Sequence, residues 1–269
     1  MQVLDSWSRE AVLEALDNNA TDSVASWASW DGMDVVRDAA WTYTMSRVPF
    51  PLFNAFMKPR LADAVAHSYV EMSLALARRN NVPVTWWTGA CPCPDSLGRT
   101  LLSSGFLKAE TVTGMAGRLA LTDLSHHTPL DIREVHDEHR LAQWCEVVCP
   151  AHEVGEPFRD DWRQVFRAAG FGKDAGWRHF VGYVGGDPVA ASSSYVDAGV
   201  VSLANVAVEQ DYRGWGFGHD IISTPLSLAR DAGVKIAAIW ASDRGRPVFE
   251  KMGFAPLCIG EMYLWAPEQ

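Results

Sequence analysis

Apolar residues recur every third or fourth position in some stretches of this chain and run unbroken or alternating in others, and the switching between these patterns lays out its elements. Helical spacing predicts short helices over Ser8–Leu16 and Asp22–Trp30, the second with an acid near its start. Val35–Ser46 turns strand-like, and after Pro49-Phe-Pro-Leu-Phe-Asn54 a long amphipathic helix is predicted over Leu61–Arg79. Val82–Trp87 reads as a strand, Ser96–Ser103 as a helix capped by the turn Pro92–Gly98, and Thr111–Leu119 as a closing strand.

The second half opens with a strand, Leu130–Val135, a helix, Asp137–Val148, an irregular stretch, Cys149–Pro157, and a helix, Arg159–Ala169. Three antiparallel strands follow, Phe180–Val184, Pro188–Val196 and Val200–Val208, joined by Gly185-Gly-Asp187 and Asp197-Ala-Gly199, both strong hairpin signals. Then come a helix, Ile221–Ala232, a strand, Val234–Trp240, and a short helix, Arg246–Met252. Pro225 falls inside the first of these helices, where a proline kinks the axis and costs about 3 kcal/mol unless packing compensates.

The two halves repeat each other. Leu52-Phe-Asn54 matches Leu203-Ala-Asn205, Leu76-Ala-Arg78 matches Leu228-Ala-Arg230, Asn81-Val82 matches Gly233-Val234, and Gly105-Phe106 matches Gly253-Phe254, at offsets between 148 and 152 residues. A nearly constant offset across four anchors indicates a duplicated domain. The polar segment Thr122–Pro129 separates two apolar strands as a linker does, which predicts domains over 1–125 and 126–269. His126 and His127 within it read as solvated, since no carboxylate or cysteine is spaced to join them in a metal site, and no metal is expected.

The stretch richest in chemistry is Leu203–Gly218, an apolar strand running through Arg213 into three alternating glycines and a helix. Without Cβ atoms, Gly214, Gly216 and Gly218 can aim several N–H groups at one point, and the helix adds its positive end there, so the turn suits a phosphate. No Lys-Ser/Thr follows the glycines, and neither the Walker loop nor the dinucleotide fingerprint fits. The first copy has Lys58-Pro-Arg-Leu-Ala-Asp-Ala64 at this point, without a glycine and with an acid, so it is expected to hold no phosphate.

Arg213-x-x-Gly216-x-Gly218 resembles the acyl-CoA-binding motif of the GCN5-related N-acetyltransferases, and the succession of helix, strand, short helix and Gly253-Phe254 after it resembles that family's order of elements. The resemblance implies an α/β (α+β) fold of two tandem domains of this type, each a mixed, mostly antiparallel sheet flanked by helices, with acyl-CoA held only by the second. It implies that the cofactor, acetyl-CoA or another acyl-CoA, lies along the backbone of Val206, Ala207 and Val208 and on the turn Arg213, Gly214, Trp215, Gly216, Phe217 and Gly218. The family's usual proton donor is a tyrosine four residues before the Gly-Phe glycine, and here that residue is Phe249. Either another group, with Tyr195 as the candidate, or solvent then supplies the proton, unless the domain has left acetyl transfer; His152 and Glu153, in a polar cluster with Glu156, Asp160 and Asp161, are candidates for the base. Asn205, mirrored by Asn54, suggests a structural hydrogen bond at the strand ends, with contact to a catalytic water as the alternative for the second copy. The expected activity is transfer of an acyl group to an amine of a small molecule. The alternatives are acyl-CoA binding without turnover, which Phe249 suggests, and another thioester reaction such as decarboxylation.

Composition narrows the partners. Of 269 residues, 48% are hydrophobic and 21% charged, which supplies two cores and excludes global disorder. The net charge of −10 and the lack of clustered Lys and Arg argue against nucleic acid. No apolar run reaches membrane-spanning length and the N-terminus has no signal-like region, so a cytoplasmic monomer or homodimer is expected. Cys91, Cys93, Cys145, Cys149 and Cys258 show no Cys-x-x-Cys pair and read as thiols. Twelve tryptophans exceed the needs of a core, and part of that excess is expected to wall a pocket.

Overall fold

The computed structural model describes residues 3–267 except 6, 91, 173 and 174. Helix α1 (Arg9–Ala25) begins where Ser8 Oγ accepts the Ala11 N–H at 3.1 Å. It is a single helix, followed by a 3₁₀ turn over Ser26–Ser29, where the sequence pattern predicts two helices. The polar residues that interrupt the apolar spacing are buried and bonded. Asn19 Nδ2 donates to the carbonyl of Asp197 at 3.0 Å and to those of Tyr195 and Val200 at 3.3 Å, and Asp17 accepts the Ala90 N–H at 2.6 Å. These long-range bonds hold a turn-like sequence in helical form.

Next come β1 (Met33–Arg37), β2 (Thr42–Ser46), β3 (Ala55–Met57), α2 (Asp63–Asn80), β4 (Val84–Thr88), α3 (Leu97–Ser103) and β5 (Leu107–Arg118). The second half supplies β6 (Asp131–Glu134), α4 (Glu138–Ala151), α5 (Arg159–Ala169), β7 (Trp177–Val184), β8 (Asp187–Asp197), β9 (Val200–Val208), α6 (Phe217–Asp231), β10 (Ile236–Ala241), α7 (Arg246–Lys251) and β11 (Ala255–Trp265). α6 runs unbroken through Pro225.

All eleven strands form one sheet in the order β1-β2-β3-β4-β11-β5-β10-β9-β8-β7-β6. The order is palindromic about the β11–β5 pair: β4 answers β10, β3 answers β9, β2 answers β8 and β1 answers β7, while β6 has no counterpart among the described residues of the first half. The centre is a reciprocal exchange. β5 leaves the first half to pair with β10 from Ile236↔Arg118 to Ala241↔Thr113, and β11 leaves the second half to pair with β4 from Glu261↔Thr88 to Trp265↔Val84. β5 and β11 also pair with each other, antiparallel, from Ala255↔Ala116 to Leu264↔Leu107.

Separate cores lie on this sheet. One gathers Phe53, Trp144, Trp162 and Phe166 with Trp27 from α1's 3₁₀ extension, so the first and second halves share it. Another packs Ile221, Leu226 and Phe217 of α6 against Val201, Ala237 and Ile239. A third seats α2 and α3 on β4 around Trp86, whose indole N–H donates to Ser73 Oγ at 2.9 Å. No disulfide joins Cys93, Cys145, Cys149 and Cys258, and Cys91 lies outside the described residues. Cys145 and Cys149 are buried one helical turn apart, and the bond to Cys149, together with burial, pushes the Cys145 thiol up. Among the described residues no helix is long and apolar enough to cross a membrane.

Candidate active site

β9 and β10 are parallel neighbours joined by a single register pair, Ala237 with Val201, and beyond it they diverge. The divergence opens a cleft of about 1520 Å³ that runs from the glycine turn across the sheet to the first half of the chain. Val206, Ala207 and Val208 line one wall, and Ala238, Trp240 and Ala241 the other. A smaller hollow of about 730 Å³, between α1 and the far end of α6, has none of the glycine-turn residues in its walls.

At the mouth of the cleft the chain turns through Gly214 at φ 83° and Gly216 at φ 90°, conformations that L side chains resist. A Cβ on Gly216 would also press on Thr128 Cγ2 at 3.1 Å. α6 then starts with Gly216 as its N-cap and no capping side chain. Among the described residues no acceptor takes the N–H groups of Gly214 through Gly218, and the helix N-terminus points its dipole at the same place. Arg213 Nε donates to the Val208 carbonyl at 3.0 Å, which fixes the guanidinium beside the turn. Trp215 is exposed, and Phe217 is buried as the anchor of the turn. These free donors and the added cation fit a pyrophosphate.

The first half differs at the corresponding place. Pro59 has no N–H, the Arg60 N–H donates to the Ala40 carbonyl at 2.8 Å, and α2 starts at Asp63. Ser96 N–H and Oγ donate to the Asp63 carboxylate, which holds its pKa below the usual value. A negative charge thus stands at the helix end where the second half has free N–H groups.

A bulge interrupts the β8–β9 ladder between Ala191 and Ser193, and Asn205 sits on it at φ 53°. Asn205 lines the cleft and its Nδ2 donates to Ser193 Oγ at 3.4 Å, while Ser193 Oγ lies 2.7 Å from His179 Nδ1. Burial lowers the His179 pKa to about 3, so the imidazole is neutral. The mirror residue Asn54 is fully buried and saturated: it accepts the Ser46 N–H at 2.7 Å and donates to the carbonyls of Val48 and Phe50 at 3.1 Å. Only the second copy of this asparagine faces the cleft.

Of the candidate catalytic residues, His152 and Glu153 line the cleft where α4 ends, with Glu153 at φ 55°. His152 is exposed to the cleft, yet the concave walls crowd it and the desolvation lowers its pKa, which favours the neutral, basic imidazole. Tyr195 does not line the cleft. It is buried against Trp177, its hydroxyl is aimed at the Asp22 carbonyl of α1 at 3.4 Å, and burial pushes its pKa up to about 12. Tyr195 shares a face of the sheet with its cross-strand partner Trp177, but it sits at the end of β8 covered by α1, and its hydroxyl turns to the Asp22 carbonyl instead of the cleft. Phe249 does line the cleft, buried and packed edge-on to Phe254 at 5.4 Å.

Glu110 of β5 and Asp243 after β10 line the cleft without a signal in the sequence. Burial and the Asp243 charge raise the Glu110 pKa. Glu110 belongs to the first half and reaches this wall only because β5 pairs with β10. The expected tryptophan walls are present: Trp27, Trp87, Trp162, Trp177 and Trp240 all border the cleft.

Residues 141–254 match the acetyltransferase (GNAT) family, so the second half of the chain carries a GNAT domain. Whole-chain likeness extends to tandem arrangements. A GCN5-related N-acetyltransferase from Kribbella flavida is similar with a TM-score of 0.67 at 14% identity, over 95% of this chain and 96% of that one. Another, from Sphaerobacter thermophilus, gives 0.64 at 15% identity over 97% and 93%. A tandem GNAT protein from the clavulanic acid biosynthesis pathway gives 0.59 at 12% identity over 100% and 98%. At these identities the likeness establishes the fold, two tandem GNAT-like units in one mostly antiparallel sheet.

Proposed function

We propose that this protein transfers an acyl group from acyl-CoA to an amine of a small molecule, with the cofactor held by the second half alone. The observation that carries the reading is the turn Arg213–Gly218, whose N–H groups from Gly214 to Gly218 have no acceptor among the described residues and stand at the mouth of the β9–β10 cleft. Arg213 and the N–H groups of Gly214, Trp215, Gly216, Phe217 and Gly218 would hold the pyrophosphate, and the backbone of Val206 and Val208 the pantetheine amides. Bound there, acyl-CoA supplies an activated thioester carbonyl. The chain's own task is to take one proton from the incoming ammonium; the second proton, lost as the C–N bond forms and the C–S bond breaks, would pass to the departing thiolate by way of solvent. His152, neutral in its crowded position, is the base we assign, with Glu110 as the second carboxylate-bearing candidate. Tyr195 is withdrawn as proton donor because its hydroxyl faces α1.

A second reading, acyl-CoA binding without turnover, rests on Phe249, which leaves no phenol in the cleft at the place where the family's donor usually stands. Titrating CoA into the protein and into Gly216→Asp tests the cofactor site: binding to the parent and its loss in the variant is expected, and equal affinity overturns the assignment. Thiol release with a panel of amines then separates the two readings, since a binding protein releases none above the acceptor-free rate.

A further inference from the structure

Spacing along the chain gives the linker histidines no partner, but the fold brings them one. Asp123 and His127 on the linker meet His219, in the first turn of α6, and each offers a ligand atom such that all three lie within 4.8 Å of one another. The imidazoles of His127 and His219 have centroids 4.9 Å apart, and Asp123 Oδ2 lies 3.8 Å from His127 Nε2. Asp123 Oδ1 is already engaged by the Ser125 N–H at 3.0 Å, which leaves Oδ2 as the available oxygen.

Behind these groups stands a fully buried carboxylate. Asp220 accepts the N–H groups of His127 at 3.1 Å and Thr128 at 2.8 Å, and its Oδ1 lies 3.2 Å from His219 Nδ1. One side chain therefore fixes the backbone of the first histidine and the ring of the second. A histidine whose Nδ1–H is held by a carboxylate presents Nε2 outward in the tautomer that binds metal, the usual outer partner of a ligating imidazole.

We infer that Asp123, His127 and His219 form a binding site for a divalent transition-metal ion, with Asp220 as its outer carboxylate. Two imidazoles and one carboxylate are the donor set of zinc with one position open to water. The side chains of Asp123 and His127 are each 54% exposed, so they can close the last ångström or so that tetrahedral ligation at about 2.0–2.2 Å requires. The ion clips the linker to α6 one turn from Gly216, whose Cα hydrogen faces Thr128 of the same linker. Metal binding at this point reinforces the seat of the glycine turn.

The test uses the full-length, tag-free protein, stripped with EDTA and dialysed, and titrated with Zn²⁺ by calorimetry and by competition with a chromophoric chelator. One equivalent per chain is expected, with affinity reduced at least tenfold in each of His127→Ala, His219→Ala and Asp123→Asn. Thermal melts of the metal-free variants should match the metal-free parent, and Asp123→Asn, an exposed isosteric change, carries the test if a histidine variant melts early. Absence of stoichiometric binding, or binding unchanged in the variants, overturns the site. The readout is metal affinity, so it stands or falls independently of acyl transfer.

Discussion

Ser192 Oγ donates a 2.8 Å hydrogen bond to the carbonyl of Ile221, the group that Pro225, four residues on in α6, has no N–H to reach. The serine is fully buried on β8, and α6 packs directly on that strand. The carbonyl that the proline leaves without its helical N–H partner is thus satisfied by a hydroxyl from a neighbouring element. Ser192→Ala should lose about 1–3 kcal/mol of stability in urea titration, because a buried carbonyl is left unsatisfied. In a Pro225→Ala background the restored N–H takes over the carbonyl, and the same serine change should lose roughly half as much or less. Equal losses in both backgrounds would show that the hydroxyl does not compensate the proline.

Gly214 and Gly216 share a left-handed backbone but differ in surroundings. A Cβ at Gly214 meets nothing within 4 Å, whereas one at Gly216 meets Thr128 Cγ2 at 3.1 Å. Gly214→Ala should destabilise by about 1–2 kcal/mol from backbone strain alone, and Gly216→Ala by more. Thermal melts of both variants, with and without CoA, check the order.

The assignment of His152 predicts a pH signature. Its pKa is lowered, so the neutral base is present above a value under the ordinary 6.5 and is lost as pH falls below it. The acid limb of kcat/KM should carry that ionisation, and His152→Gln should remove the limb and reduce kcat by about 10²–10⁴-fold. If instead Glu110→Gln abolishes the limb and His152→Gln preserves it, the raised carboxyl of β5 is the base.

His179 predicts an effect on stability rather than rate. Its folded pKa of about 3 lies below the 6.5 of an unfolded chain, so the unfolded state takes up the proton first as pH falls. The folded state is fully favoured above pH 6.5 and loses about 1.4 kcal/mol per unit between there and the folded pKa, or about 2 kcal/mol at pH 5. Urea titrations at pH 7 and pH 5 on the parent and on His179→Asn should show this loss in the parent and less of it in the variant. A parent whose stability is flat over this range would mean that the imidazole opens to solvent before it protonates.

The glycine turn, the duplicated order of elements and the tryptophan-walled pocket are legible in the sequence because each rests on local chemistry: a positive φ, an apolar run, an indole surplus. What was not legible depends on partners remote in sequence. The break expected between Leu16 and Asp22 is closed by Asn19 bonding to carbonyls around the β8–β9 turn, and no window of residues near Asn19 contains that information. The pattern of β5 is the same whether it pairs within its own half or beside β10, so Glu110 could not be read as a cleft residue. Tyr195 was not placed by its sequence because its hydroxyl is taken by the carbonyl of Asp22 on α1, a partner 173 residues away in the chain.

The exchange of β5 and β11 bears on how the cleft can admit a ligand. In two-unit proteins the ordinary route is rotation of one unit against the other about a linker. Here each half owns a strand that is hydrogen-bonded inside the other, with β5 held on both edges by β10 and β11. Rotation about residues 119–130 would have to tear a continuous ladder, so that hinge is mechanically locked although the linker is polar and its tip exposed. The same lock forbids separating the chain at 125: a fragment ending there would carry β5 without β11 beside it, and its two free edges would seek another copy. The parts of the cleft wall that can move without breaking this ladder are its rim, at the turn after α4 and the loop before α7.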